Sequence, residues 1–240
     1  MKINGIDSAE YGAQQWNVTP GYVSIKNESE MLDGALRPLM LPGKISMKKY
    51  KVAVLLRGAS RQEMWTNGSR LVASLLSPAV VKLDGFKNNF CFVLTNPSQA
   101  ESSLKRFHKA TLELQGYEYG DEVVINKAHT DEFFAENPGT LETPVTLEIL
   151  PEANVSELTI KGLSRTRIKK EEKEIRVRNL RSGEGIVIDS STGLITTDTG
   201  GNKFADVEMW EFPSILPGEN FVELSNEAVR ISIRFCPLYM

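Results

Sequence analysis

The sequence contains few of the residues that build metal sites and disulfide frameworks. Two cysteines, Cys91 and Cys236, and two histidines, His108 and His129, occur in 240 residues. Residues so few and so far apart exclude a disulfide scaffold and a cysteine-rich zinc site. A chain of this length buries roughly 70% of its unfolded surface, so we expect a hydrophobic core to stabilise the fold.

Long apolar runs and a strong net charge are also missing. No run approaches the ~18 apolar residues of a membrane span, and the polar sequence from Asn4 onward predicts no signal peptide. We therefore expect no membrane partner. The net charge of -3 gives no whole-chain attraction to nucleic acid. A chain that is 41% hydrophobic and 25% charged is typical of soluble globular proteins, and its length predicts one or two domains.

Sequence motifs of catalysis are absent. Neither a Gly-rich phosphate loop nor a G-x-S-x-G nucleophile elbow occurs. His129 precedes Asp131 and Glu132, three residues that suit either a weak metal site or, as we expect, an ordinary polar loop. A pair of catalytic carboxylates of the glycosidase type is not excluded by the sequence, because the distance between the two groups depends on the fold. We predict a protein that is not an enzyme, with no catalytic, cofactor-binding or metal-binding residue.

The remaining nucleophile and base candidates have simpler interpretations. Cys91 lies in an apolar strand sequence and Cys236 ends another, so both thiols are predicted to be inert packing groups. His108 lies beside Arg106 and Lys109, and we predict that it sits on a solvated strand face.

A change in sequence character near residue 140 predicts a domain boundary. Asn137–Thr140 is turn sequence, and Thr143-Pro144 follows it. We predict domains 1–139 and 140–240, with a joint between His129 and Thr143. The first has 16 basic and 15 acidic residues, the second 12 and 16.

One helix is predicted in the first domain, over about residues 60–77. Ser60 and Glu63 have the spacing of a capping box, and Ser77-Pro78 ends the helical pattern because proline disfavours helix at the preceding residue. Trp65 is predicted to anchor this helix in the core. The apolar positions at helical spacing are Met64, Trp65, Leu71, Val72, Leu75 and Leu76.

Strands are predicted around this helix. Asp84-Gly85 suits a two-residue hairpin turn, and the strand containing Leu112 is predicted to stop at Gly116. These elements favour a helix packed on an antiparallel sheet or open barrel. The predicted strands are Tyr50–Leu56, Ala79–Leu83, Phe86–Leu94 and Ala110–Leu114.

The second domain has short strand patterns at the spacing of an all-β sandwich. Asp189–Gly193 is predicted to be a hairpin turn, and the last strand alternates between buried and exposed residues. The predicted strands are Val145–Ile149, Ile175–Arg178, Ile186–Ile188, Leu194–Thr197, Phe221–Leu224 and Val229–Phe235.

The densest charge lies between Arg165 and Arg178. A purely basic arm would suggest nucleic-acid binding, but glutamates alternate with the bases here and no aromatic residue offers base stacking. We predict a solvated hairpin loop. Its bases are Arg165, Arg167, Lys169, Lys170, Lys173, Arg176 and Arg178, and its acids are Glu171, Glu172 and Glu174.

Several segments together resemble one family. Met1–Gly12 resembles the opening of the distal tail proteins of long, non-contractile-tailed bacteriophages, and Leu112–Gly120 is similar to the end of their N-terminal domain. Ile188–Thr196, Phe212–Asn220 and the closing strand Val229–Phe235 are similar to their last domain. The segments occur in the family's order and span nearly the whole chain.

The resemblance implies a mainly β fold. The first domain would be a split β-barrel with one α-helix, and the second a galectin-like antiparallel β-sandwich. It also implies a virion protein at the tail tip, where six copies form a ring. The partners implied are the tail tube, tape-measure, tail-associated hub or lysin, and receptor-binding proteins, while DNA passes the channel without specific binding. No cofactor is implied.

An alternative function is a carbohydrate-binding adhesion module that contacts the host surface. Galectin sites use a histidine, an asparagine and arginines around a stacking tryptophan. Both histidines precede the predicted sandwich, and its one tryptophan is Trp210. We therefore favour the structural hub, without catalysis.

Overall fold

The computed structural model describes residues 1–23, 25–26, 29–30, 33, 36–37, 39–40, 44–99, 107–166 and 171–240. The chain divides into two compact units. The first contains Met1–Gly120 and the last two residues, Tyr239–Met240, and the second contains Asp121–Leu238.

The first unit is an antiparallel sheet with one α-helix. The elements are β1 (Lys2–Ile3), β2 (Ile6–Asp7), a 3-10 helix (Ser8–Tyr11), β3 (Ala13–Pro20), β4 (Ile25–Lys26), β5 (Ser29–Glu30), β6 (Leu39–Met40), β7 (Lys44–Ile45), β8 (Lys48–Arg57), α1 (Arg61–Ala73), β9 (Ala79–Lys82), β10 (Asn89–Gln99) and β11 (Phe107–Tyr119). The strand order of the sheet is β2-β1-β9-β10-β11-β8-β3, and two small pairs, β4-β7 and β5-β6, accompany it.

The helix starts where the capping box predicts and ends one turn early. The Ser60 Oγ accepts from the Glu63 backbone N–H at 3.1 Å, while the Glu63 carboxylate accepts from the Ala59 backbone N–H at 2.9 Å. α1 ends at Ala73 instead of residue 77. The Ser74 hydroxyl donates to the Leu71 carbonyl at 2.7 Å, a side-chain bond that competes with the helical pattern at this end.

The predicted hairpin of β9 and β10 exists, but its turn is longer than predicted. Phe90 pairs with Val81, so β10 begins at Asn89 and Asp84-Gly85 lies inside a six-residue loop. The stop predicted at Gly116 is also wrong, since β11 continues to Tyr119. Gly116 is needed inside the strand, because a Cβ there would lie 1.8 Å from the Cys91 carbonyl oxygen.

The core of the first unit lies on one face of this sheet. Residues 50, 52, 54 and 56 of β8 are buried, as their alternation predicts. Tyr50 packs against Phe90 and Phe92 with ring centroids 5.2 and 5.1 Å apart. Aromatic contacts of this kind stabilise beyond their buried area.

The second unit consists of two five-stranded sheets and one small pair. The elements are β12 (Val123–Ala128), β13 (Glu132–Asn137), β14 (Thr143–Pro144), β15 (Thr146–Pro151), β16 (Val155–Arg165), β17 (Glu172–Leu180), β18 (Ile186–Asp189), β19 (Leu194–Thr197), a 3-10 helix (Phe204–Asp206), β20 (Val207–Glu208), β21 (Ser214–Ile215), β22 (Gly218–Leu224) and β23 (Val229–Phe235). The sheet orders are β12-β23-β15-β18-β19 and β13-β22-β16-β17-β20, and β14 pairs with β21. The last strand of the chain, β24 (Leu238–Tyr239), belongs to the sheet of the first unit, where it pairs with β11.

One continuous hydrophobic core joins the two large sheets of the second unit. The alternation predicted for the last strand is confirmed: Val229, Ile231, Ile233 and Phe235 are buried, whereas Arg230 is exposed. The predicted β18–β19 hairpin is also present, and Gly193 takes the left-handed conformation at its turn, with φ 71°. The prediction of a mainly β protein with one helix is confirmed for the described residues.

The division between the units lies earlier than the predicted boundary at 139/140. It falls between Gly120 and Asp121, because two strands before residue 140 complete the sandwich. β12 pairs with β23 and β13 with β22. Asn137 supports the same unit, since its Nδ2 donates to the Ile215 carbonyl at 3.3 Å.

Candidate assembly surfaces

The helix of the first unit buries only part of its apolar surface. Met64 and Leu71 are buried in the core, but Trp65 is 42% exposed, and Leu76, which follows the end of α1, is 65% exposed. The prediction that Trp65 is a core anchor is therefore wrong. The apolar stripe of the helix is wider than the surface that the sheet covers. Trp65, which follows the buried Met64, therefore lies at the margin of this stripe.

An apolar groove of about 340 Å³ lies beside α1, and it is lined by Trp65, Leu71 and Leu76 among others. The ring of Trp65 lies 5.3 Å from that of His108, centroid to centroid. We call this feature the α1 groove. Its lining residues include Trp65, Val72, Leu76, Pro97, His108 and Ala110.

The structure also corrects the placement of His108, which is buried and not on a solvated face. It pairs with Leu56 across β8 and β11, and β-strand alternation then puts it on the apolar face. Its Nδ1 is buried without a hydrogen-bond partner. Lys109 is exposed, and Arg106 lies outside the described residues.

Neither cysteine forms a disulfide, and both are half-buried. Burial raises the pKa of the Cys236 thiol, and the nearby carboxylates of Glu122 and Asp121 raise it further. A raised pKa keeps this sulfur protonated and weakens it as a nucleophile.

His129 occupies the turn between β12 and β13 with a positive φ of 52°. Its Nε2 lies 3.5 Å from the Glu152 Oε2, so a residue distant in sequence contacts it. In the described ranges, no three histidine, cysteine, aspartate or glutamate side chains group as metal ligands would.

Much of the charged segment between Arg165 and Arg178 is strand. Residues 172–178 belong to β17. The strand predicted at Ile175–Arg178 is therefore confirmed, and the prediction of a solvated loop is wrong for residues 172–178. Ile175 and Val177 are buried in the core, and the alternating bases point outward. Arg167, Lys169 and Lys170 lie outside the described residues.

Glutamates neutralise the outward bases of β17. Arg176 pairs with Glu174 at 2.9 Å. Arg178 pairs with Glu157 at 3.1 Å and with Glu208 at 2.7 Å. These arginines are therefore ion-paired on the sheet and do not form a free basic arm.

Trp210 lies beside this charged face and is 70% exposed. It lines a cavity of about 440 Å³ together with Glu174, Arg176 and Glu208. An exposed tryptophan beside polar groups offers both a stacking surface and hydrogen-bond partners.

The second unit matches a known family. A family model described as "Siphovirus-type tail component, C-terminal domain" matches residues 138–239. The resemblance to phage distal tail proteins is thereby confirmed for residues 138–239, which are similar to this tail-component domain.

The whole chain also resembles a solved structure. The Dit protein (gp 19.1) of phage SPP1 is described as a paradigm of the hub adsorption apparatus in phages that infect Gram-positive bacteria. It is 14% identical, the match covers 99% of this chain and 98% of that one, and the TM-score is 0.77. The chain therefore has the fold of that distal tail protein.

Two further structures are similar at lower scores. They are baseplates of phage p2 in the activated conformation, with Sr and with Ca. Each is 12% identical, and each match covers 95% of this chain and 92% of the other, with a TM-score of 0.48. No curated protein matches the sequence significantly. No helix in the described parts of the chain has both the length and the hydrophobicity needed to cross a membrane.

Proposed function

We propose that this protein is the structural hub at the distal end of a phage tail. Six copies close into a ring that joins the tail tube and tape-measure protein to the baseplate and adsorption proteins. These include the tail-associated hub or lysin and the receptor-binding proteins. The observation that carries the proposal is the likeness of the entire chain to the SPP1 hub protein.

The α1 groove supports an assembly role for the first unit. A head-to-tail ring needs two different complementary patches on each copy. The groove presents Trp65 and Leu76 as exposed apolar side chains, and large apolar residues are favoured at the centre of protein interfaces. We assign the groove to the contact between neighbouring copies.

The charge distribution supports a channel that DNA passes without binding. Each phosphate that a basic side chain neutralises adds a salt-dependent attraction. The arginines of β17 are ion-paired with glutamates, and the net charge of the chain is -3. A neutral or acidic ring lets DNA slide.

The mass in solution tests the ring. We expect light scattering with size-exclusion chromatography to find a hexamer at rising concentration, alone or with tail tube protein. Trp65→Ser combined with Leu76→Ser should shift the mass to the monomer, whereas Tyr22→Ser, a change at an exposed residue of the same unit, should not. A chain that stays monomeric and ignores tube protein would contradict the hub.

Duplex DNA tests the channel. At about 0.15 M salt, we expect binding weaker than the ~10⁻⁴ to 10⁻⁶ M of non-specific DNA-binding proteins. Tighter binding that Arg176→Gln or Arg178→Gln removes would make β17 a nucleic-acid surface.

A second candidate function is carbohydrate contact at Trp210. Its exposed ring and the polar residues of the adjoining cavity favour stacking on a sugar. Titration with cell-wall glycans of Gram-positive bacteria tests it: binding that Trp210→Ala abolishes would support this function, and no binding by the intact chain would reject it.

A further inference from the structure

The outer face of the second unit carries a symmetric arrangement of glutamate and phenylalanine. On neighbouring strands β13 and β22, Phe134 is paired with Phe221, and a glutamate pair lies on either side. We call these six residues the Glu–Phe ladder. Its members are Glu132, Phe134 and Glu136 on β13, and Glu223, Phe221 and Glu219 on β22.

Both phenylalanines are exposed to solvent. Phe134 is 64% exposed and Phe221 is 40% exposed, and their ring centroids lie 5.2 Å apart. The core of these strands is formed by residues of the opposite face, such as Phe133, Ala135 and Val222. The aromatic pair is therefore not needed to fill the interior.

The glutamates of the ladder oppose each other unfavourably. Glu132 lies across from Glu223, and Glu136 lies across from Glu219, and like charges directly opposite on a sheet destabilise it. Lys161 reduces the repulsion between Glu132 and Glu223, because its Nζ lies 3.4 Å from the Glu223 Oε2. Among the described residues, the carboxylates of Glu136 and Glu219 have no ion-pair partner.

β13 is also an edge strand, because it ends its sheet in the order β13-β22-β16-β17-β20. An edge strand leaves main-chain N–H and C=O groups available for another strand. Glu132 is the exception, because its C=O accepts from the Thr130 hydroxyl at 2.7 Å and its N–H donates to the same hydroxyl at 3.4 Å. Charges on an edge often prevent unwanted pairing. Such protection explains the glutamates on β13. It does not explain the glutamates on the inner strand β22, and it does not explain why Phe134 is exposed on the edge strand.

We propose that β13 is a docking edge for an extended segment of a partner protein. The segment adds a strand beside β13 and carries basic residues two positions before and after an apolar residue. The apolar side chain packs on Phe134, and the bases face Glu132 and Glu136, with the β22 glutamates extending the acidic surface. This interaction does not depend on the proposed ring, and the acidic surface disfavours DNA as the occupant.

Binding of designed peptides to the full chain tests this edge. In fluorescence anisotropy at low salt, we expect labelled TRTLTRT to bind and TETLTET not to bind. Glu136→Gln with Glu219→Gln should weaken binding by about two- to thirtyfold, the range for two surface charge pairs. Glu136→Lys with Glu219→Lys should reverse the peptide preference.

Controls separate docking from general charge attraction. Glu227→Lys reverses the charge of one glutamate at an exposed position outside the ladder and should leave the peptide preference unchanged. A TRTLTRT peptide N-methylated at alternate amides should lose binding, because it cannot pair as a strand. Circular dichroism should show unchanged folding for every variant, since all altered residues lie on the surface.

Three results would overturn the proposal. They are equal binding of both peptides, equal binding of the N-methylated peptide, and unchanged preference in the double lysine variant. Absence of TRTLTRT binding at millimolar concentration would overturn it as well.

Discussion

At the residue scale, polar contacts at the edge of the first unit's core converge on Glu118. The Lys48 Nζ lies 2.5 Å from one Glu118 carboxylate oxygen, and the Asn88 Nδ2 donates to the other at 2.8 Å. The Tyr50 hydroxyl donates to Glu118 at 3.5 Å. Lys48 and Tyr50 are both buried, so these bonds replace the water that the groups lose.

The stability of the protein should fall at high pH because of Tyr50. Burial, and then the charge of Glu118, raises the pKa of Tyr50 to about 12 from its ordinary value of 10.0. The stability that the neutral phenol contributes is fully present below about pH 10 and is lost as the pH rises through about 12. We expect the free energy of unfolding of the Tyr50→Phe variant, measured by chemical denaturation, to decrease less between these pH values than that of the unmodified chain.

The matched control is Tyr22→Phe, which removes a hydroxyl from a residue that is 98% exposed. This variant should keep the pH dependence of the unmodified chain. Identical pH profiles for all three proteins would show that Tyr50 does not cause the loss.

The exposure of Trp65 predicts a small cost for its removal. An emptied aromatic core site costs about 3–5 kcal/mol, but Trp65 is 42% exposed. We expect Trp65→Ala to lower the free energy of unfolding by less than about 2 kcal/mol, and Leu71→Ala, which is 1% exposed, by about 2–5 kcal/mol. Urea denaturation of both variants measures the difference. A larger loss of unfolding free energy for Trp65→Ala would show that Trp65 is a core residue after all.

At the element scale, the pairing of β10 and β11 depends on Gly116. A Cβ at this position would lie 1.8 Å from the Cys91 carbonyl oxygen and 2.8 Å from the Phe92 Cδ1. The carbonyl belongs to the backbone of a paired strand, so the strands must move apart. We expect Gly116→Ala to lower the free energy of unfolding by about 1–3 kcal/mol, the usual range for overpacking.

Gln115→Ala is the control for this prediction. It changes the neighbouring residue of the same strand, which is not buried, and such surface changes usually stay within about 0.5 kcal/mol. Equal thermal stability of Gly116→Ala and the unmodified chain would show that the sheet adjusts without cost.

At the scale of the whole molecule, the division at Gly120 and Asp121 predicts which fragment folds. Residues 121–238 contain both five-stranded sheets. A fragment of 140–238 lacks β12 and β13, which uncovers strands β23 and β22 and removes Phe133 and Ala135 from the core. We expect cooperative thermal unfolding for 121–238 and none for 140–238. Cooperative unfolding of the shorter fragment would support the boundary at 139/140.

Local chemistry and alternation determined much of this protein from the sequence alone. The capping box at Ser60, the turn at Gly193 and the buried face of Val229–Phe235 each depend on residues close in the chain, and all three are present. The resemblance to distal tail proteins likewise followed from short segments in a fixed order, and the family match of the second unit agrees with it.

Only the tertiary structure decided which residues meet and which stay exposed. His108 is buried because its strand register places it opposite Leu56, and Trp65 is exposed because the sheet covers only part of the helix stripe. β12 and β13 belong to the sandwich because they pair with strands about a hundred residues later. The periodicity of the sequence indicates which face of a helix or strand is apolar. Whether another element buries that face depends on residues distant in the chain, and no local pattern encodes their positions.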